Sequence, residues 1–257
     1  MNLTLTRLTL RLSYSSMASR GHGRGGMGMI GLRVALLLTI GMTLGCAGSQ
    51  GLHADRLREI LTQEESRFTG VELSPAPSAG SARPAASALG LYLKPTGFLH
   101  RSFEWTGLDR DTVLAWARGI LPGAAATSAG YVPLSSLKGT GFAELRAAAT
   151  RYGFDLLLLI DGAAAVDRYN NYKAPLTYWT ILGAYLADGT QSDALCLVKG
   201  SVWNVRTGTL LFAEEAEGRA QVVGPAALVD DDKVILAARQ QALTGLLAKL
   251  KARLAHP

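Results

Sequence analysis

Phe154-Asp155-Leu156-Leu157-Leu158-Leu159-Ile160 decides the fold. A short apolar run without alternation reads as a strand buried on both faces, so it belongs at the centre of a sheet covered by helices. Just before it, Phe142, Leu145, Ala149 and Tyr152 recur at helical spacing, and Gly153 is placed to end that helix. Further upstream, Leu89-Gly90-Leu91-Tyr92-Leu93-Lys94-Pro95 reads as a first strand stopped by proline, and Tyr131-Val132-Pro133-Leu134 as a short one. Between them, Asp109 is expected to cap a helix carrying Val113, Leu114, Trp116 and Ala117, ended by Gly119 and Pro122.

Downstream of an insert spanning 167–190, two antiparallel strands are expected at about 194–205 and 209–222, joined at Arg206-Thr207-Gly208. The segment 225–254 opens on Asp230, Asp231 and Asp232 and closes on Lys249, Lys251 and Arg253, charges that complement a helix dipole at both ends. Leu236, Leu243, Leu247, Leu250 and Leu254 are its expected apolar stripe. The fold class is therefore α/β (α+β): a single mixed sheet flanked by helices in two or three layers, with a long carboxy-terminal amphipathic helix.

The amino-terminal part has a different character. The apolar run Val34–Leu44 follows Arg33 and ends in Thr43-Leu44-Gly45-Cys46. About a dozen apolar residues are too few to span a hydrocarbon core of roughly 30 Å, and they suit a transient export signal instead. The pattern resembles a lipobox, with Thr43 in place of the usual leucine. That resemblance implies cleavage between Gly45 and Cys46 and acylation of Cys46, so that the membrane is met through an acyl anchor. Two or three acyl chains hold stably where one binds reversibly. Ala47 after the cysteine, where an aspartate would retain the protein, implies the outer membrane facing the periplasm in a cell with two membranes. An ordinary secretory signal or an uncleaved anchor are the alternatives, and either still exports the domain.

Residues 1–26 precede a start at Met27 or Met29, and their Ser, Arg and Gly bias is unlike a folded segment. The chain thus divides into a leader over 1–45, a tether over 46–88 with a short helix and a Pro/Ser/Ala-rich linker, and a globular domain over 89–257. Gly21-His22-Gly23-Arg24-Gly25-Gly26 matches a dinucleotide-binding fingerprint in letters only, because a signal segment follows where a phosphate-wrapping helix is required.

The net charge of +6 comes largely from Arg7, Arg11, Arg20, Arg24 and Arg33 of the acid-free leader. The remaining chain of roughly 210 residues is nearly neutral and long enough for one domain with a real core. Its basic residues are scattered among as many acids, which excludes nucleic acid as a partner. Cys196, in Ala194-Leu195-Cys196-Leu197-Val198, reads as a buried small hydrophobe, and with Cys46 acylated no intramolecular disulfide is expected.

Catalytic and metal signatures are weak. His53, His100 and His256 lack zinc spacing, and no nucleophile elbow or Cys–His pair is present, so no metal, no cofactor and no enzymatic activity are expected. Asp155, Asp161 and Asp167 recur every six residues and read as strand-end polarity and turn formation. Lys138-Gly139-Thr140-Gly141 reads as a loop and helix cap. Tyr169, Tyr172, Tyr178, Trp179 and Tyr185 make the insert the most aromatic segment, the composition of a protein interface or a membrane boundary.

The helix and strand of 148–160, followed by Gly200-Ser201-Val202-Trp203-Asn204-Val205-Arg206-Thr207-Gly208-Thr209-Leu210-Leu211, resemble envelope lipoproteins with an anticodon-binding-like α/β domain. The curli-secretion lipoproteins and the amino-terminal domain of the Tol-system propeller proteins share that plan. Leu176-Thr177-Tyr178-Trp179-Thr180-Ile181-Leu182-Gly183-Ala184-Tyr185 resembles the middle of the rhombotarget lipoproteins. The ending Ala255-His256-Pro257 lacks the di-glycine, apolar span and basic tail of rhombosortase substrates, so carboxy-terminal processing is not expected. The expected function is that of a non-enzymatic lipoprotein whose α/β domain binds or scaffolds another envelope component, using the Tyr169–Tyr185 insert or an exposed sheet edge. An oligomeric, curli-channel-like component and an enzyme with an unrecognised site are the alternatives.

Overall fold

Leu156 begins a 15-residue strand that is buried from Leu156 through Ala164 and holds the middle place in a five-stranded sheet. The computed structural model describes residues 49, 51–70, 88–95, 104–120, 129–139, 141–171, 173–174 and 183–255, all within the unit Gly45–Pro257. In chain order the elements are α1 (Ala54–Thr69), β1 (Leu89–Leu93), α2 (Gly107–Ile120), β2 (Ala129–Tyr131), a 3-10 turn at Leu134–Ser136, α3 (Phe142–Arg151), β3 (Leu156–Asn170), α4 (Gly183–Leu186), β4 (Thr190–Asn204), β5 (Leu210–Gly224) and α5 (Asp231–Ala255). The sheet runs β2-β1-β3-β4-β5, with β1 parallel to β2 and β3 and the other pairs antiparallel.

The apolar strand residues divide by parity between two helical layers. On the first face Leu91, Leu158, Ile160, Cys196 and Val198 meet Val113 of α2 and Ala238, Ala242 and Leu246 of α5. On the second face Tyr92, Leu157, Leu159 and Trp203 meet Leu145 and Ala149 of α3, and Ala163, Leu195 and Leu197 meet Leu57 and Leu61 of α1. The architecture is a three-layer α/β/α sandwich. Cys196 is fully buried, and its thiol is pushed up to about 12 by that burial.

The turn and the caps carry local corrections. Arg206-Thr207-Gly208 joins β4 to β5, with the Arg206 and Thr207 amides donating to the Asn204 side-chain oxygen. Thr106, and not Asp109, caps α2. The Thr106 amide donates to Asp109 at 2.8 Å while the Asp109 amide donates back to the Thr106 hydroxyl at 3.3 Å, a reciprocal pairing across the first turn. Gly119 lies inside that helix, and Pro122 is outside the described residues. On α5 the buried stripe is Val234, Ile235, Ala238, Ala242, Leu243, Leu246, Leu247 and Leu250, and Leu236 points outward. Asp230 caps that helix through the Asp232 amide. Tyr152 follows α3 as its half-exposed cap, and Gly153 at φ 74 ends the helix as its position predicts.

Gly218 of β5 permits the closest helix approach: a Cβ there would lie 2.0 Å from the Ala238 carbonyl oxygen and 2.5 Å from the Ala242 nitrogen. The largest change to the expected organisation is α1. The short helix of the tether is folded onto the sheet, with Leu57 and Leu61 each contributing about 1.5–3 kcal/mol by burial.

Candidate functional site

Two regions concentrate chemistry. The first lies between α1 and the second face of the sheet. Asp161 and Lys199 are register partners on β3 and β4, Lys199 and Glu215 are partners on β4 and β5, and the Lys94 amide bonds to the Ile160 carbonyl beside them. Alternating charges therefore cross the sheet from Lys94 to Asp161, Lys199 and Glu215. Helix α1 supplies the complements. Lys94 Nζ lies 2.5 Å from Asp161 and 3.2 Å from Glu64, Lys199 pairs with Glu65, and Arg58 reaches Glu215 at 2.7 Å and Glu217 at 3.3 Å.

Burial raises the Asp161 carboxyl above its ordinary range, and the Lys94 charge and hydrogen bond and the Gly162 amide oppose that shift. Beside this cluster a cavity of about 10 Å³ is lined by Glu65, Lys94, Asp161, Lys199 and Ser201, room for about one water. The arrangement can clamp a helix to a sheet, and it has no space for a substrate.

This cluster corrects the reading of Asp161 as strand-end polarity, because β3 continues to Asn170 and Asp161 lies inside it. Its sequence signal was present. Lys94, Asp161 and Lys199 each interrupt or close an apolar strand run, but their partners are remote in sequence and set by register.

The second region is the end of the β3–β4–β5 ribbon that runs past β1. The insert is shorter than expected, 171–189, and Tyr169 belongs to β3. The Tyr169 ring is half-buried and its hydroxyl donates to Asp193 at 3.0 Å. Partial burial, that bond and the charges of Asp193 and Asp167 raise its phenol, so it stays a donor. Tyr185 on α4 is 55% exposed, and Leu186 next to it is 78% exposed. Tyr172, Tyr178 and Trp179 lie outside the described residues, as do Gly45 and Cys46.

Asp167 has a partner that no local sequence pattern announces. It accepts from the Ser49 hydroxyl at 2.5 Å and from the Gly51 amide at 2.9 Å, so the chain shortly after Cys46 is held against β3.

The β5 edge is partly closed by α5. Gln241 accepts from the Arg219 amide at 2.8 Å, and Lys249 donates to the Glu215 carbonyl at 2.7 Å, two backbone groups that an added strand would need. Among the described residues no group of His, Cys, Asp and Glu is arranged to hold a metal ion, and no helix is long and apolar enough to cross a membrane.

No family model matches the chain, and no curated protein matches it. Solved structures give remote likenesses. The PelC dodecamer from Paraburkholderia phytofirmans is 13% identical at a TM-score of 0.33, over 69% of this chain and 93% of that one. Lipoprotein GNA1162 from Neisseria meningitidis is 12% identical at 0.28, over 66% and 99%. The LpoB carboxy-terminal domain from Salmonella enterica is 10% identical at 0.26, over 63% and 96%. Likeness at this level carries no conclusion about function, and the rhombotarget resemblance rests on the sequence alone.

Proposed function

We propose that this chain is an envelope lipoprotein, acylated at Cys46 and resident at the outer membrane facing the periplasm. Its α/β/α domain acts as a non-enzymatic binding or scaffold module for another envelope protein. The observation that carries the non-enzymatic reading is the charge cluster. Lys94, Asp161, Lys199, Glu64 and Glu65 are engaged with one another in holding α1, beside a cavity with room for about one water. Groups committed in this way build a rigid body whose recognition falls to its surface. Anchoring confines that surface to a thin layer and raises its effective concentration toward partners there.

The candidate contacts are the insert residues Tyr172, Tyr178 and Trp179, while Tyr169 serves the ribbon through Asp193. The oligomeric alternative by edge pairing is disfavoured by Gln241 and Lys249, which occupy part of the β5 edge.

The test is a full-length protein and its Cys46→Ala variant in a host with two membranes, labelled with a palmitate analogue and carrying a photo-crosslinker at position 178. Label on the wild type alone, with crosslinks to a different envelope protein, is the expected result. Ladders of self-crosslinks would replace the scaffold with an oligomer, and no label on the wild type would remove the anchor.

A further inference from the structure

The bond between Ser49 and Asp167 fixes which end of the domain the anchor leaves from. Cys46 precedes Ser49 by three residues, a length of chain that reaches about 10 Å fully extended. Asp167 lies three positions from Asn170, the last residue of β3, and each position advances about 3.4 Å. Cys46 is therefore kept within reach of the ribbon end where Asn170 pairs with Thr190 and Thr190 with Gly224.

Among the described residues, most of the large exposed apolar side chains stand at that end. Val222 and Val223 stand on β5 on opposite faces of the ribbon, beside Ser192 and Gln191, just inside the terminal pair Thr190–Gly224. Leu228, 67% exposed, lies in the turn that leaves Gly224, where the Leu228 amide bonds to the Pro225 carbonyl. Tyr185 and Leu186 stand just before Thr190. Arg168 ties this turn to the ribbon through the Ala226 carbonyl at 2.5 Å, so the turn is held at the tip of the ribbon with the strand end.

We propose that this surface, Tyr185, Leu186, Val222, Val223 and Leu228, rests in the headgroup and acyl boundary of the membrane that holds the Cys46 acyl chains. The occupant is lipid, on two grounds: the anchor leaves beside this surface with a leash of three residues, and the residues are of the type that partition at an interface. The charges nearby select the lipid class. Asp188, Asp230, Asp231 and Asp232 outnumber Arg168, Lys173 and Lys233, so no cationic field draws the surface to anionic headgroups, and apolar burial into neutral, zwitterionic lipid is the mode. The proposal rests on acylation of Cys46.

The experiment places an environment-sensitive dye at Leu186→Cys, Leu228→Cys and Thr207→Cys, one at a time, on the acylated full-length protein in phosphatidylcholine vesicles containing quencher-labelled lipid. Thr207 lies in the turn at the opposite end of the β4–β5 hairpin. Buried Cys196, its thiol held protonated, does not compete for the dye. Dyes at 186 and 228 should shift to the blue and be quenched several-fold more than the dye at 207. The Asp167→Ala exchange, which releases Ser49, should reduce that difference. Equal, water-like signals at all three positions on protein that floats with the vesicles overturn the orientation and leave the anchor standing. Protein that neither floats nor carries a palmitate label overturns the anchor, and the orientation with it.

Discussion

The two faces of the sheet are held by different physics. On the first, α2 and α5 lie on apolar strand residues, and the buried charge pair Arg239–Asp109, at 3.4 Å, joins helix to helix. On the second, the charges stand on the strands themselves, and α1 is attached by Glu64, Glu65 and Arg58 as well as by Leu57 and Leu61. The first face answers to shape, because hydrophobic burial has no direction but close packing does. The second answers to charge state. A helix that precedes the core strands in the chain can be fixed in one register by ion pairs where two leucines alone would let it slide.

The largest expected effect breaks the second face. Lys94→Met leaves Asp161 buried, and Glu64 partly so, without their cation and should lower unfolding stability by about 3–5 kcal/mol, read from the urea midpoint. Lys94→Met combined with Asp161→Leu should restore a large part of that loss. A single variant as stable as the wild type would mean the cluster does not hold α1.

The matching test of the first face is Gly218→Ala, whose Cβ would collide with the α5 backbone and should cost about 1–3 kcal/mol in thermal or urea unfolding. Unlike the Lys94 exchange, it should be insensitive to pH.

A third measurement follows stability against pH for the wild type and Asp161→Asn. Burial raises the folded carboxyl above its unfolded value, so the native state binds this proton more tightly than the unfolded chain. Wild-type stability relative to Asp161→Asn should therefore fall as pH rises through the upper carboxylate range, and a rising difference would reverse the assignment of burial over Lys94 as the dominant influence. The smallest effect belongs to Arg58→Ala, whose pairs with Glu215 and Glu217 are two-fifths exposed or nearly so, and which should lower the urea midpoint only slightly, the loss diminishing with salt.

The sequence by itself determined what depends on local pattern. The run Leu156–Ile160 announced the central strand, Arg206-Thr207-Gly208 the hairpin, Phe142 to Gly153 a helix with its stop, and the terminal aspartates and basic residues the last helix, because periodicity, turn geometry and the helix dipole act over a few residues. Even the misplacements, Asp109 for Thr106 and Leu236 for its buried neighbours, fall within the correct helices. Only the tertiary structure decided the rest. Lys94, Asp161 and Lys199 are brought together by strand register, α1 becomes part of the body by docking on Ala163, Leu195 and Leu197, and Asp167 turns from a strand-end carboxylate into the clasp for Ser49. Each of these joins residues far apart in the chain, and a charge in a sequence carries no mark of the partner that the fold will place beside it.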